Sequence, residues 1–174
     1  MHIRFSSTIP NKTDVAFRIN SYINEYIRFA DAKAGIVVTF MSALLWALFD
    51  RYHETPCANA YTIAVSIVLA LTAVVVALGV IWPYTPKPPK GYIFWESIYD
   101  HKEADIYAEA FAGLSPTQFL SALSVQNFFI AKVAVRKYKW FRAAFGLGVL
   151  AAALGLVALS EVGAVERVVA LLRT

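Results

Sequence analysis

Apolar residues gather into three uncharged runs, and almost all of the charge lies before or between them. The first run, Ala34 to Phe49, holds 16 residues between Lys33 and Asp50. As a helix it is about 24 Å long, short of a hydrocarbon core of roughly 30 Å. A snorkelling Lys33, with Trp46 and Tyr52 at the opposite interface, makes up the difference. The second run, Tyr61 to Trp82, holds 22 residues, begins and ends on interfacial aromatics and stops at Pro83. The third, Ala143 to Ser160, holds 18, follows the belt residues Trp140 and Phe141, and contains Gly146, Gly148 and Gly155. Such small residues let a neighbouring helix approach closely, and these three are the expected oligomer contact. The first run is expected to be a span and not a cleaved signal, because a long patterned polar helix precedes it.

Outside the runs the periodicity is helical. Residues 14–31 predict an amphipathic helix running directly into the first span, with Thr13 as its cap and Ile19, Tyr22, Ile23, Tyr26 and Ala30 as its apolar stripe. Four prolines between Pro83 and Lys90 make a stiff, extended exit from the second span, followed by the aromatic cluster Gly91-Tyr-Ile-Phe-Trp95. Residues 96–112 predict an acidic helix ending at Gly113 in a left-handed cap. Ser115-Pro-Thr-Gln118 predicts a capping box with proline at the first helical position. From there one helix can run unbroken into the third span, with Leu120, Leu123, Asn127, Ile130, Ala134 and Tyr138 on one stripe.

The predicted organisation is therefore a cytosolic helix (1–33), a first span (34–49), an external loop (50–60), a second span (61–82), a cytosolic sensor segment (83–142), a third span (143–160) and an external tail (161–174). Composition agrees: of 174 residues 59% are hydrophobic and 16% charged, against about 25% charged in ordinary soluble domains. Five Lys and Arg precede the first run, one lies in 50–60, eight in 83–142 and two after Ser160. This bias puts the N-terminus and the 83–142 segment in the cytosol and the C-terminus outside. Cys57 then faces the external side as a lone thiol, which excludes an intramolecular disulfide and a thiolate metal site.

No catalytic constellation is visible. His2, His53 and His101 fall in different segments, and neither common phosphate-cradling glycine loop is present. A non-enzymatic role with no cofactor or metal is expected. The basic residues from Lys132 through Arg136 and Lys137 to Arg142 suit either headgroup anchoring or a phosphate ligand, and Lys33 is read in the same two ways. Asn127 suits either a buried register-setting amide or a ligand contact. Phe94 and Trp95 suit a core, or the stacking of a flat base. Asp31 lies at the membrane boundary, where a carboxylate needs a partner: either Arg28 on its own helix or the basic face at Arg136 and Lys137.

Four passages resemble those of the Pycsar effector transmembrane family, PycTM. They are Ala30-Asp-Ala-Lys-Ala34, Gly91-Tyr-Ile-Phe-Trp95 with Ile98, Gln126-Asn127, and Lys137-Tyr138 with Arg142-Ala143. In the family an asparagine commonly precedes the aromatic cluster and a glycine follows it, whereas here Gly91 or Tyr92 and Glu96 hold those places. The resemblance implies a bacterial antiphage protein of the inner membrane that responds to cyclic UMP or cyclic CMP from a cognate cyclase and then compromises the membrane. Its partners would be that nucleotide, the bilayer and further copies of itself, not a nucleic-acid polymer. For such a ligand the chain's own residues offer the cations Arg28, Lys33, Lys132, Arg136 and Lys137, the stacking faces Phe94, Trp95 and Tyr99, and Asn127, with Asp31 expected as a latch. The expected fold is an all-α membrane protein with three spans, two of them continuing as long cytosolic helices that bundle in a homo-oligomer. A constitutive membrane scaffold and a channel gated by another signal are the alternatives.

Overall fold

The computed structural model describes residues 11–52, 57–84 and 91–172. His2, His53 and the proline-rich exit at 85–90 lie outside the described residues. Among the described residues there are five helices: α1 (Lys12–Tyr52), α2 (Cys57–Ile81), α3 (Trp95–Tyr99), α4 (Ala104–Ala112) and α5 (Pro116–Leu172). Three of them contain stretches long and apolar enough to cross a membrane: Lys12–Tyr52, Ala60–Ile81 and Pro116–Ser160. The first and third cytosolic helices of the sequence reading are thus continuous with their spans. The chain divides into two compact units, one of residues up to Ile27 with Tyr84–Val135, the other of Arg28–Pro83 with the residues from Arg136 onward. α1 and α5 each contribute to both.

The residues that turn inward along the long helices recur every three or four positions. On α1 they are Ala16, Asn20, Ile23, Ile27, Ala30, Ala34, Val37, Met41, Leu44 and Leu48. On α5 the series runs through Leu123, Asn127, Ile130, Lys137, Ala144, Gly148, Ala151, Gly155 and Ala158, and on α2 through Ile63, Ser66, Ala70, Ala73, Ala77 and Val80. A 3.5-residue repeat of this kind keeps one seam facing its neighbours along the full length of a helix. The predicted stripe of α1 is divided by this seam: Ile23 and Ala30 lie on it, whereas Ile19, Tyr22 and Tyr26 are exposed and Ala16 and Asn20 turn inward instead.

In the unit that holds the spans, the seam is built mainly of alanine and glycine. Lipid tails are as apolar as leucine, so hydrophobicity alone cannot choose a buried face, and close backbone approach does so instead. Ser66 is fully buried and donates its hydroxyl to the Ala151 carbonyl at 2.7 Å, tying α2 to α5. Gly155 lies beside that bond: a Cβ there would meet Ser66 Oγ at 2.9 Å and Leu44 at 3.3 Å. Gly148 packs in the same way on Met41. These two glycines therefore serve contacts inside one chain, which corrects their expected role between copies. Gly146 has open space around it. Gly155→Ala is expected to displace the Ser66 hydroxyl and cost about 1–3 kcal/mol. Thermal unfolding in detergent checks this, with a smaller loss in Ser66→Ala/Gly155→Ala than in Gly155→Ala.

The other unit is capped and turned by short-range signals. Asn11 Oδ1 accepts from the Thr13 amide at 3.1 Å, so Asn11, not Thr13, caps α1. Ser115 and Gln118 form the reciprocal capping box of α5, at 2.8 and 3.3 Å. The predicted 96–112 helix is broken into α3 and α4 by a turn in which Lys102 takes a φ of 61°. Gly113 follows α4 with right-handed backbone, φ −76°, so the left-handed residue lies before this helix and not after it. The turn is fixed by His101 Nδ1 against the Ser97 carbonyl at 2.8 Å and by the Tyr107 hydroxyl, which donates to the Tyr92 carbonyl at 2.9 Å.

Candidate ligand site

The bond from Tyr107 to Tyr92 holds the Gly91–Phe94 segment, which has no regular structure, against its own unit. Between this segment and the first turns of α5 is a cavity of about 320 Å³. Gly91, Tyr92, Ile93 and Phe94 form one wall; Leu114, Gln118, Ser121, Ala122, Val125 and Gln126 form the other. The volume lies at the lower end of the range for small-molecule sites. No lining side chain carries a charge. Gln118 already spends its amide oxygen on the Ser115 cap, whereas Gln126 Oε1 is buried and accepts no hydrogen bond.

One position along α5, the neighbouring amide is used up inside the protein. Asn127 donates to the Ala16 carbonyl at 2.9 Å and accepts from Asn20 Nδ2 at 2.9 Å, and Asn20 in turn accepts from Asn24 at 2.9 Å. Both ends of the Asn127 amide are therefore committed to holding α1 on α5, so it sets register and is not free for a ligand. Phe94 is the expected stacking residue that reaches the cavity wall. Trp95 stands against Phe94 with ring centroids 5.7 Å apart but is itself exposed, as is Tyr99. Lys132 is exposed over the Phe128 ring, 4.5 Å from its centroid.

The remaining expected cations, Arg28, Lys33, Arg136 and Lys137, belong to the unit of the spans. Arg28 is exposed; Lys33 lies 5.9 Å from the centroid of Tyr138 and Arg136 6.0 Å from that of Trp140. Lys137 differs from all of these. It is buried, forms an ion pair with Asp31 on α1 and donates to the Val80 carbonyl at 2.7 Å. Val80 is in the last turn of α2, where carbonyls have no partner within the helix and the dipole favours a cation. One ammonium thus ties together all three spanning helices. Its burial removes Lys137 from the groups that a dissolved phosphate can reach, which corrects its reading as a ligand contact. It also decides the partner of Asp31, across to α5 and not locally to Arg28.

Among the described residues no group of three or more His, Cys, Asp or Glu is gathered as a metal site would require. Gln126 was visible in the sequence as half of a Gln-Asn pair, yet only the fold separates the committed amide from the uncommitted one.

Residues 15–163 match the Pycsar effector protein domain, PycTM. The chain belongs to the Pycsar effector family. It is 31% identical to the Pycsar effector protein SaPycTM of Staphylococcus aureus over 134 residues, 75% of this chain and 83% of that one. It is 24% identical to PtPycTM of Propioniciclava tarda over 164 residues, covering 88% and 79% of the two chains. No solved structure matches it. Membership implies an antiphage defence effector, and three helices long and apolar enough to cross a membrane fit a multi-pass PycTM protein. Two of the passages that carried the resemblance, Gly91–Phe94 and Gln126, face one another across the cavity.

Proposed function

We propose that this Pycsar effector senses a cyclic pyrimidine mononucleotide, cyclic UMP or cyclic CMP made by a cognate cyclase, and responds by depolarising or disrupting the bacterial inner membrane. The observation that carries the reading is the cavity between Gly91–Phe94 and α5, in the unit that holds the most polar part of the chain. α1 and α5 contribute to that unit and also to the unit of the spans, so a ligand that favours one arrangement of these helices biases both. The cytosolic side carries the N-terminus and the 83–142 segment, and the C-terminus is external, in line with the distribution of Lys and Arg.

Three spans enclose no pore by themselves, so the response requires several copies. The exposed series Val15, Ile19, Tyr22 and Tyr26 on α1 supports this, since it repeats the three-and-four spacing of the buried seam on a second face. In the resting state the Asp31–Lys137 pair holds the spans closed. Because Lys137 is buried, the ligand opens this pair by shifting the helices, not by competing directly for the ammonium.

Isothermal titration of the purified full chain against 3′,5′-cyclic UMP, CMP, AMP and GMP tests the reading. A pyrimidine cyclic nucleotide is expected to bind at least tenfold more tightly than either purine. Binding of none of the four would overturn the sensor role.

A further inference from the structure

The lining of the cavity specifies which part of a ligand it can hold. Ionised groups are not buried without a countercharge, and every lining side chain of this cavity is neutral. A phosphate is therefore excluded from its interior. What the wall offers is two aromatic side chains, Tyr92 and Phe94, the Ser121 hydroxyl, and two carboxamides, of which Gln118 has its oxygen tied to the Ser115 amide and Gln126 has its oxygen uncommitted. The Gln126 oxygen is buried and accepts nothing from the protein, a condition that costs stability as long as it lasts. The oxygen has no accessible surface as the side chain stands, so it meets an occupant when the Gln126 carboxamide turns about its terminal torsion, and it then takes an N–H or O–H donor from that occupant. An amide also presents an N–H₂ beside its oxygen, so its full complement is a planar edge with a donor next to an acceptor. Uracil has that edge in N3–H beside O4, and cytosine has it in N4–H₂ beside N3.

Resting on the sensor reading above, we propose that the cavity is the base pocket of the effector, with Gln126 as the residue that reads the edge of the pyrimidine, and that the cyclic phosphate stays outside it. Flat aromatic side chains beside the amide hold the ring by its faces, and Gln126 fixes its orientation. Asn127 contributes only by fixing the phase of α5, since its own amide is spent on Ala16 and Asn20.

The assignment implies an opposite effect on stability and on binding. Gln126→Met keeps the length and volume of the side chain and removes the amide. Without ligand, loss of a buried unsatisfied oxygen is expected to raise the unfolding midpoint by about 3 °C. The same variant is expected to bind the preferred cyclic pyrimidine nucleotide about 10- to 100-fold more weakly. Titration uses the tighter of 3′,5′-cyclic UMP and 3′,5′-cyclic CMP together with its N3-methyl or N4,N4-dimethyl counterpart, in which the donor is blocked. Against the natural chain the blocked ligand loses about 10- to 100-fold; against Gln126→Met the two ligands bind within about threefold of each other. A variant that binds as the natural chain does, or still discriminates between the two ligands, overturns the assignment of Gln126 while leaving the sensor reading intact. If the natural chain binds neither cyclic pyrimidine nucleotide, the sensor reading fails and this assignment fails with it.

Discussion

Cells producing the Asp31→Ala variant, with no cyclase present, are expected to lose membrane potential and stop growing. Asp31 is the carboxylate partner of a buried ammonium, and its removal leaves Lys137 with only the Val80 carbonyl. For a fully buried pair, removal of one partner costs about 3–5 kcal/mol. About a third of the Asp31 side chain remains accessible, so screening reduces the cost here to about 2 kcal/mol. That is roughly a 30-fold shift toward any arrangement of the spans in which Lys137 reaches water. If the open form is about 0.1% of the resting population, the variant holds about 3% of it without a signal, enough for a membrane-damaging protein to act.

A second substitution separates a latch from simple misfolding. Replacing a buried ion pair by apolar side chains is often neutral or stabilising. Asp31→Ala/Lys137→Met is therefore expected to be quiet, with potential-sensitive dye uptake as in the natural chain, although it carries more changes than the toxic variant. Polarised, growing cells with Asp31→Ala at normal expression would sink the latch. So would a double variant as toxic as the single one, because the harm would then come from loss of Asp31 itself and not from the stranded ammonium.

The features legible in the sequence were those written in a short window. The three apolar runs needed only composition, and the cap of α5 needed only Ser115 and Gln118 three residues apart. The unbroken course of α1 and α5 followed from the absence of breakers between their polar and apolar parts. The inward face of α5 was legible too, since its stripe from Leu120 through Leu123, Asn127 and Ile130 to Tyr138 is buried or half-buried, whereas the rotation of α1 was legible only in part. Ile19, Tyr22 and Tyr26 are bulky members of the apolar stripe, yet they are exposed, and Ala16 is buried because α1 and α5 approach one another through an asparagine network. The 3.5-residue repeat that betrays this is marked by alanine, glycine and asparagine, which a search for bulky apolar stripes passes over. Lys137 shows the same limit. Within its own segment it is one of several basic residues, and only the meeting of α1, α2 and α5 makes it a buried cation with two partners.

Asn127→Asp is expected to unfold the protein more readily at pH 8 than at pH 4.5, and this separates a structural amide from a ligand contact. The natural amide donates to the Ala16 carbonyl and accepts from Asn20. A carboxylate can still accept from Asn20 but turns its second oxygen toward the Ala16 carbonyl, so two acceptors face each other where a hydrogen bond had been. The expected loss is about 3 kcal/mol, composed of the missing bond and the burial of a charge. Burial disfavours the ionised form, so the introduced carboxyl has a folded-state pKa above the ordinary value of about 3.9. Stability therefore declines as pH rises, because the unfolded chain ionises first. Below about pH 4 the carboxyl is protonated in both states, and its hydroxyl can replace the lost donor to Ala16. In detergent the unfolding midpoint of the variant should lie roughly 6–12 °C below that of the natural chain at pH 8 and within a few degrees of it at pH 4.5. If Asn127 instead served a ligand alone, the midpoint without nucleotide would be unchanged at both pH values and only binding would be lost.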